Sequence, residues 1–312
     1  MQVLLDAGAE VDLKDKHGMT ALMYASEKGC DVTVRVLVKA GAAVDLKDDR
    51  GATALGWAGK CGNGGAIRVL LDAGAAVDLR DSDGKTALIW AGKGGHEHAM
   101  LLLLEAGAAV DLKDVNGQTA LMKACTGDGR VAAIRVLLDA GAAVELRHTD
   151  GNTALIWASK GGHEGAIRVL LAAGAMIDAV DPYGGTALLH ATMDEAGGPV
   201  RALLEAGAAV NLKANGGGTA LIAALGRANL DLARLLLEAG AEPPPLAKNL
   251  PRVPPTRPNE VEMKQLLAFP GRGRRKRGGR VERRRRQQRR MRFWLRRRLR
   301  RRWQSRGRPR QS

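Results

Sequence analysis

The chain has 312 residues, a formal net charge of +16, 45% apolar and 3% aromatic residues, and three cysteines. Residues 271–312 hold 21 Arg and one Lys against the single acid Glu282, which leaves 27 basic and 32 acidic residues to the first 270, so the chain as a whole cannot be read as one basic surface. The wide separation of Cys30, Cys61 and Cys125 excludes a disulfide framework or cysteine metal site and points to reduced thiols in an intracellular protein, and no apolar run or leader pattern suggests a membrane span or secretion.

The first residues, Met1-Gln-Val-Leu-Leu-Asp-Ala-Gly8, match the end of a helix that recurs later as Val69 to Gly74. Residues 1–13 are therefore expected to be a partial repeat. Either the sequence is truncated at its N-terminus or the stub suffices because later units are stable.

From residue 14 to 242 the chain repeats itself seven times. One glycine opens each copy at Gly18, Gly51, Gly84, Gly117, Gly151, Gly184 and Gly217, in steps of 33, 33, 33, 34, 33 and 33 residues. A second glycine keeps the same register at Gly8, Gly41, Gly74, Gly107, Gly141, Gly174, Gly207 and Gly240. A fixed period of this length implies a stacked array of supersecondary units.

The fifth copy, Gly151 to Asp178, shows how a unit is built. Thr153 is a helix N-cap, its hydroxyl placed to accept from an N–H two or three residues on. Leu155 and Ala158 share one face of a short helix, and Gly161-Gly162 ends it. Ile167, Leu170 and Leu171 form the apolar stripe of a second helix, which Gly174 closes in a left-handed conformation. Met176-Ile177-Asp178 reads as extended. Isolated helices this short are marginal in water, so each must bury its stripe against its neighbours.

The unit resembles the ankyrin repeat, whose pattern runs D-x-x-G-x-T-P-L-H-x-A-A, then G-H, I-V-x-x-L-L and G-A-D-V-N. T-A-L recurs at Thr20, Thr53, Thr86, Thr119, Thr153, Thr186 and Thr219. The aspartate recurs as Asp15, Asp48, Asp81, Asp114 and Asp181, with His148 and Ala214 departing. Alanine replaces the family proline in every copy. Met23, Gly56, Ile89, Met122, Ile156, Leu189 and Ile222 replace the family histidine, which puts in doubt the hydrogen bonds between loops that the resemblance implies. The fold implied is all-α: an ankyrin-type solenoid of stacked helix-turn-helix repeats joined by short hairpin turns, followed by a mostly disordered basic tail.

Three features are candidates for function. The residue before the helix-1 alanine is Tyr24, Trp57, Trp90, Lys123, Trp157, His190 and Ala223 in successive copies. In ankyrin-like stacks the first helices line the concave face, so the rings are either anchors for a partner protein or packing between helices. The turn tips before each glycine form a second surface, with His17, Arg50, Asp83, Asn116, Asp150 and Tyr183 at its crest. His96-Glu97-His98 does not read as a metal site, because i, i+2 imidazoles diverge on a helix, and His96 and His163 occupy the family's G-H position. The chain has no H-E-x-x-H, G-x-S-x-G or P-loop motif, so it reads as a non-enzyme with no cofactor, metal or small-molecule substrate.

After the array, Pro-Pro-Pro245 blocks another helix and residues 243–258 read as a proline-rich linker. Residues 259–270 fit one short helix capped by Asn259. Residues 271–312 form an arginine-rich tail, disordered or a basic amphipathic helix. Arg283, Arg284, Arg285 and Arg286 with Trp294 and Trp303 would contact RNA or DNA through phosphates and stacking. An anionic membrane, a nuclear import role, plain solubilisation and an out-of-frame reading of GC-rich sequence stay open for the tail. The expected function is a scaffold binding a partner protein, in the cytoplasm or, through the tail, the nucleus; the alternative is a nucleic-acid-associated adaptor acting through that tail.

Overall fold

The computed structural model describes residues 7–127 and 130–244. Each copy contributes two antiparallel helices: α1 Ala21–Lys28 and α2 Asp31–Lys39, α3 Ala54–Cys61 and α4 Gly64–Asp72, α5 Ala87–Gly94 and α6 Glu97–Glu105, α7 Ala120–Ala124 and α8 Val131–Asp139, α9 Ala154–Lys160 and α10 Glu164–Ala172, α11 Ala187–Met193 and α12 Gly197–Ala206, α13 Ala220–Gly226 and α14 Leu230–Glu238. First helices pack on first helices and second on second, copy after copy. Among the described residues there is no strand, only an isolated bridge between Val180 and Thr186.

The capping rule read from Thr153 holds in all seven copies. Each threonine is extended and its hydroxyl accepts from the backbone N–H three residues on, satisfying one of the donors a helix start leaves free. Behind each cap the leucine of T-A-L is buried: Leu22, Leu55, Leu88, Leu121, Leu155, Leu188 and Leu221. Ile67, Leu70, Met100, Leu103, Ile167 and Leu170 meet them from the second helices. Side chains of this size contribute about 1.5–3 kcal/mol each on full burial. Close approach between first helices depends on small residues. A methyl group added at Gly59 or Gly92 would lie 2.7 or 2.8 Å from the carbonyl oxygen of Ala87 or Ala120.

The extra residue of the fourth copy falls between its helices and leaves α7 as the shortest helix described. Cys125 ends it, fully buried, its thiol pushed up to about 12 by loss of solvent; Cys30 and Cys61 are exposed, and all three are free.

One expectation needs correcting. Ile177-Asp178 is not extended but forms a tight turn, in which the N–H of Ala179 donates to the carbonyl of Met176 at 3.2 Å. The turn aims the acid at the next copy. Asp12, Asp45, Asp78 and Asp111 accept from the N–H of Ala43, Ala76, Ala109 and Ala143 at 3.1, 3.1, 3.1 and 3.0 Å. Glu145, Asp178 and Asn211 continue the series to Met176, Ala209 and Glu242 at 2.7, 2.9 and 2.8 Å. A parallel row of cations donates to backbone carbonyls one copy on: Lys14 to Lys47, Lys47 to Arg80, Arg80 to Lys113, Lys113 to Arg147 and Arg147 to Val180. The D-L-K segments are therefore stitching between copies.

The linker beyond residue 244, the helix expected over 259–270 and the tail, including Arg283 to Arg286, Trp294 and Trp303, lie outside the described residues.

Candidate functional site

The ladder residue follows the capping threonine by four positions, and the turn aspartate precedes the ladder residue by nine. The fold brings these two together. Trp57 Nε1 donates to Asp48 Oδ2 at 3.0 Å and Trp90 Nε1 to Asp81 Oδ2 at 2.9 Å. The Tyr24 hydroxyl donates to Asp15 Oδ2 at 2.7 Å, and His190 Nε2 lies 2.7 Å from Asp181 Oδ2. Lys123 Nζ stands 3.4 Å from Asp114 Oδ2 and also donates to Gln118 Oε1.

The other carboxylate oxygen closes the turn. Asp48 Oδ1 accepts from the N–H of Arg50 and Ala52 at 2.9 and 2.8 Å; Asp81, Asp114 and Asp181 repeat this pair of bonds. One side chain thus sets the turn and holds the ladder residue against it.

The titration of these groups follows from the contacts. The Tyr24 hydroxyl, and after it the backbone N–H of His17 and Met19, holds Asp15 below the usual carboxylate range, while Asp15 pushes Tyr24 up. Burial works against ionisation of Asp181, but N–H donation from Gly185, His190 and Tyr183 outweighs it and the carboxyl ends below its ordinary value. Burial lowers His190 despite its bond to Asp181, and burial likewise lowers Lys123 despite Asp114.

Two copies break the pairing. In the fifth, His148 replaces the aspartate; its ring meets Trp157 edge-on with centroids 5.5 Å apart, and the buried Trp157 Nε1 has no hydrogen-bond partner. In the seventh, Ala214 and Ala223 delete both members at once. The three tryptophans are half-buried, each with one edge toward its turn, while Tyr24 is 40% exposed. The ladder is accordingly part packing and part surface.

His17, Arg50, Asp83, Asn116, Asp150 and Tyr183 are all exposed on the tips. Their backbones are joined copy to copy: Asp49 N–H donates to His17 O, Ser82 to Arg50, Val115 to Asp83, Thr149 to Asn116 and Asn215 to Tyr183, at 2.8 to 3.2 Å. The series skips one step because Pro182 has no N–H to give Asp150. These bonds link the loops where the family histidine would have been expected to. At the histidine position itself Met23, Ile89, Met122, Ile156 and Leu189 are buried apolar side chains.

Gly56 is the exception at that position, and a recess of about 300 Å³ opens over it, bounded by Trp57 and Trp90 and by the tip residues Arg50 and Asp83. Lysines stand over the rings. Lys60 Nζ is 4.2 Å from the Trp57 ring centroid and 5.3 Å from that of Trp90; Lys85 and Lys93 approach Trp90 to 4.6 and 5.2 Å. Lys160 lies 5.6 Å from Trp157.

The sequence reading placed the ladder and the tips but missed the recess and the lysines around it. The signal was present: Gly56 is the one residue at its position without a side chain, and lysine recurs seven places after the capping threonine at Lys60, Lys93 and Lys160. His96, set aside as a metal ligand, has Nε2 3.1 Å from the carbonyl of Lys60, where Asn63 in the preceding copy donates to the carbonyls of Ser26 and Glu27.

The family model described as ankyrin repeats (3 copies) matches residues 1–81, 66–148, 108–181 and 128–214. No curated protein matches the chain. Among the described residues no helix is long and apolar enough to cross a membrane.

Proposed function

Because the chain belongs to the ankyrin-repeat family, we propose that it is a scaffold that takes a partner protein along the groove between its ladder and its turn tips. Ankyrin repeats are in general protein–protein interaction modules, and proteins built from them are typically non-enzymatic. Trp57, Trp90 and Trp157 are the anchors, with Tyr24, Lys123 and His190 beside them and the six tip residues at the rim.

One observation carries this reading: the half-exposed indoles of Trp57 and Trp90 are fixed by hydrogen bonds to their own turns before any partner arrives. Side chains already held in place lose little freedom on docking, and tryptophan is enriched among the residues that dominate interface energies. The test is the affinity of a partner isolated by affinity capture, measured for the native chain and for Trp57→Ala, Trp90→Ala and Trp157→Ala after circular dichroism has shown the helices intact. A loss of tenfold or more in at least one variant is expected; unchanged affinity in all three removes the reading.

A second reading rests on the 21 arginines of residues 271–312. A segment of that charge would bind RNA or DNA by counterion release, with affinity falling steeply as salt rises. It would also place the protein in the nucleus. A chain ending at Pro270 is then expected to lose oligonucleotide binding altogether, and full binding by that shorter chain contradicts it.

A further inference from the structure

The surroundings of Trp90 differ from those of every other ladder residue. Three ammonium groups, from Lys60, Lys85 and Lys93, lie within 4.6 to 5.3 Å of its ring centroid. Lys85 is paired with Asp83, and Lys123 in the next copy stands by Asp114. Among the described residues Lys60 and Lys93 have no carboxylate partner. Two of the three acids at the recess are already engaged: Asp81 accepts from two backbone N–H groups and the Trp90 indole, and Asp83 pairs with Lys85, while Asp49 lies at its rim. Burial lowers Lys123, and Lys85 and Lys93 add to the effect, so these cations feel one another.

Beside this cluster lies the recess over Gly56. Five other copies bury Met, Ile or Leu at this position, and Ile222 is partly buried there in the seventh. A methyl group added to Gly56 would meet nothing nearer than Thr53 Oγ1 at 3.7 Å. The second copy therefore leaves unfilled an apolar volume that its neighbours occupy with their own side chains.

We propose that the recess between the second and third copies receives an apolar side chain of a partner protein, in an extended segment whose flanking carboxylates pair with Lys60 and Lys93. The inference rests on the groove reading above and specifies its ligand: a short acidic segment with a large aliphatic or aromatic residue between the acids. The about 300 Å³ volume, walled by two indoles, suits one such side chain. Charge complementarity selects carboxylates, because the two ammonium groups without partners flank Trp90, which forms one wall of the recess. A nucleic acid fits less well. Lys60, Lys85 and Lys93 already cover the ring on which a base would stack, and the recess has room for one side chain.

The test uses the full chain and a fluorescein-labelled peptide carrying Glu-Leu-Glu between Gly-Ser flanks, read by polarisation. Peptides with Lys-Leu-Lys or Glu-Ser-Glu and a thymidine 12-mer serve as competitors. Saturable binding of Glu-Leu-Glu is expected, weakened at least tenfold by Gly56→Ile and by Lys60→Gln with Lys93→Gln, and not displaced by the competitors. Gly56→Ile gives the second copy the residue that the third and fifth already carry, so the fold tolerates it. No binding at about 1 mM peptide, undiminished binding by Gly56→Ile, or displacement by the oligonucleotide would each overturn the proposal. A captured partner separates the two levels: lost affinity in Trp90→Ala but not in Gly56→Ile removes the recess alone, and lost affinity in none of the groove variants removes the groove.

Discussion

Replacing Asp48 by alanine exposes what the turn aspartates contribute. Asp48 is 7% exposed, and its carboxylate accepts three hydrogen bonds, from the N–H groups of Arg50 and Ala52 and from Trp57 Nε1. Hydrogen bonds to a charged group contribute about 1.5–3 kcal/mol each when buried, but these donors sit beside solvent and water replaces part of the loss. About 1 kcal/mol for each donor is the appropriate figure, so Asp48→Ala is expected to cost about 3 kcal/mol. Trp57→Phe removes the indole N–H together with part of the ring, and the packing loss is common to both arms of the cycle and cancels in the coupling. In Asp48→Ala with Trp57→Phe the two losses overlap, and a coupling of about 1–1.5 kcal/mol is expected. The seventh copy is a natural version of the double deletion. With Ala214 and Ala223 in place, its turn still closes through Ala214 N–H to Gly218 O at 2.9 Å and Gly217 N–H to Ala214 O at 2.8 Å. Urea unfolding followed by far-ultraviolet circular dichroism gives all four corners of the cycle. Stacked arrays need not unfold in one step, so a local hydrogen-exchange measurement on residues 48–60 should accompany it. A cost below about 0.5 kcal/mol for Asp48→Ala, or strict additivity in the cycle, would refute the claim that the aspartate holds the indole.

Three further outcomes follow from single positions. His148→Asp gives the unpaired Trp157 Nε1 an acceptor and is expected to raise stability by about 1 kcal/mol in the same urea experiment; no gain would mean that the donor is already satisfied by water. Ala228 has a φ of 55° where α1, α3 and α5 are followed by left-handed glycine, so Ala228→Gly should stabilise by about 1 kcal/mol despite glycine's greater freedom when unfolded; a lower midpoint would contradict this. His190 is lowered from 6.5 by burial, so below that pH the unfolded chain binds the proton first. Stability from this residue is thus complete above about pH 6.5 and is lost as pH falls toward its folded value. Denaturation midpoints between pH 7.5 and 5.5 should drop more for the native chain than for His190→Gln, and parallel curves would exclude His190 as the cause.

The stacked helical fold was legible because two independent markers, the turn glycine and the A-G-A glycine, keep one register through seven copies. Local chemistry did the rest: a capping threonine, a leucine behind it and a glycine after each helix leave little choice of structure. Contacts between copies were harder to read. The bonds from Asp45 to Ala76 and from Lys47 to Arg80 join residues 31 and 33 apart, and nothing local in a D-L-K segment says that its charges serve the next copy. The extended reading of Met176-Ile177-Asp178 failed for the same reason, because the acid that the turn presents finds its partner only in the next copy. The aspartate-to-ladder pairing was visible only in its exceptions, where His148 accompanies an unpaired Trp157 and Ala214 accompanies Ala223. Gly56 was noticed for the family histidine it lacks rather than for the space it leaves, because a void is a property of neighbours and not of a residue.

The most direct measurement is hydrogen–deuterium exchange of the full chain with and without its captured partner, resolved to individual helices. Protection is expected at the tips and first helices of the second to fifth copies, over residues 48–60, 81–93, 114–124 and 148–160, with the second helices α4, α6, α8 and α10 unchanged. Protection confined to the second helices, or absent from every tip and ladder segment, would contradict the groove as the binding surface.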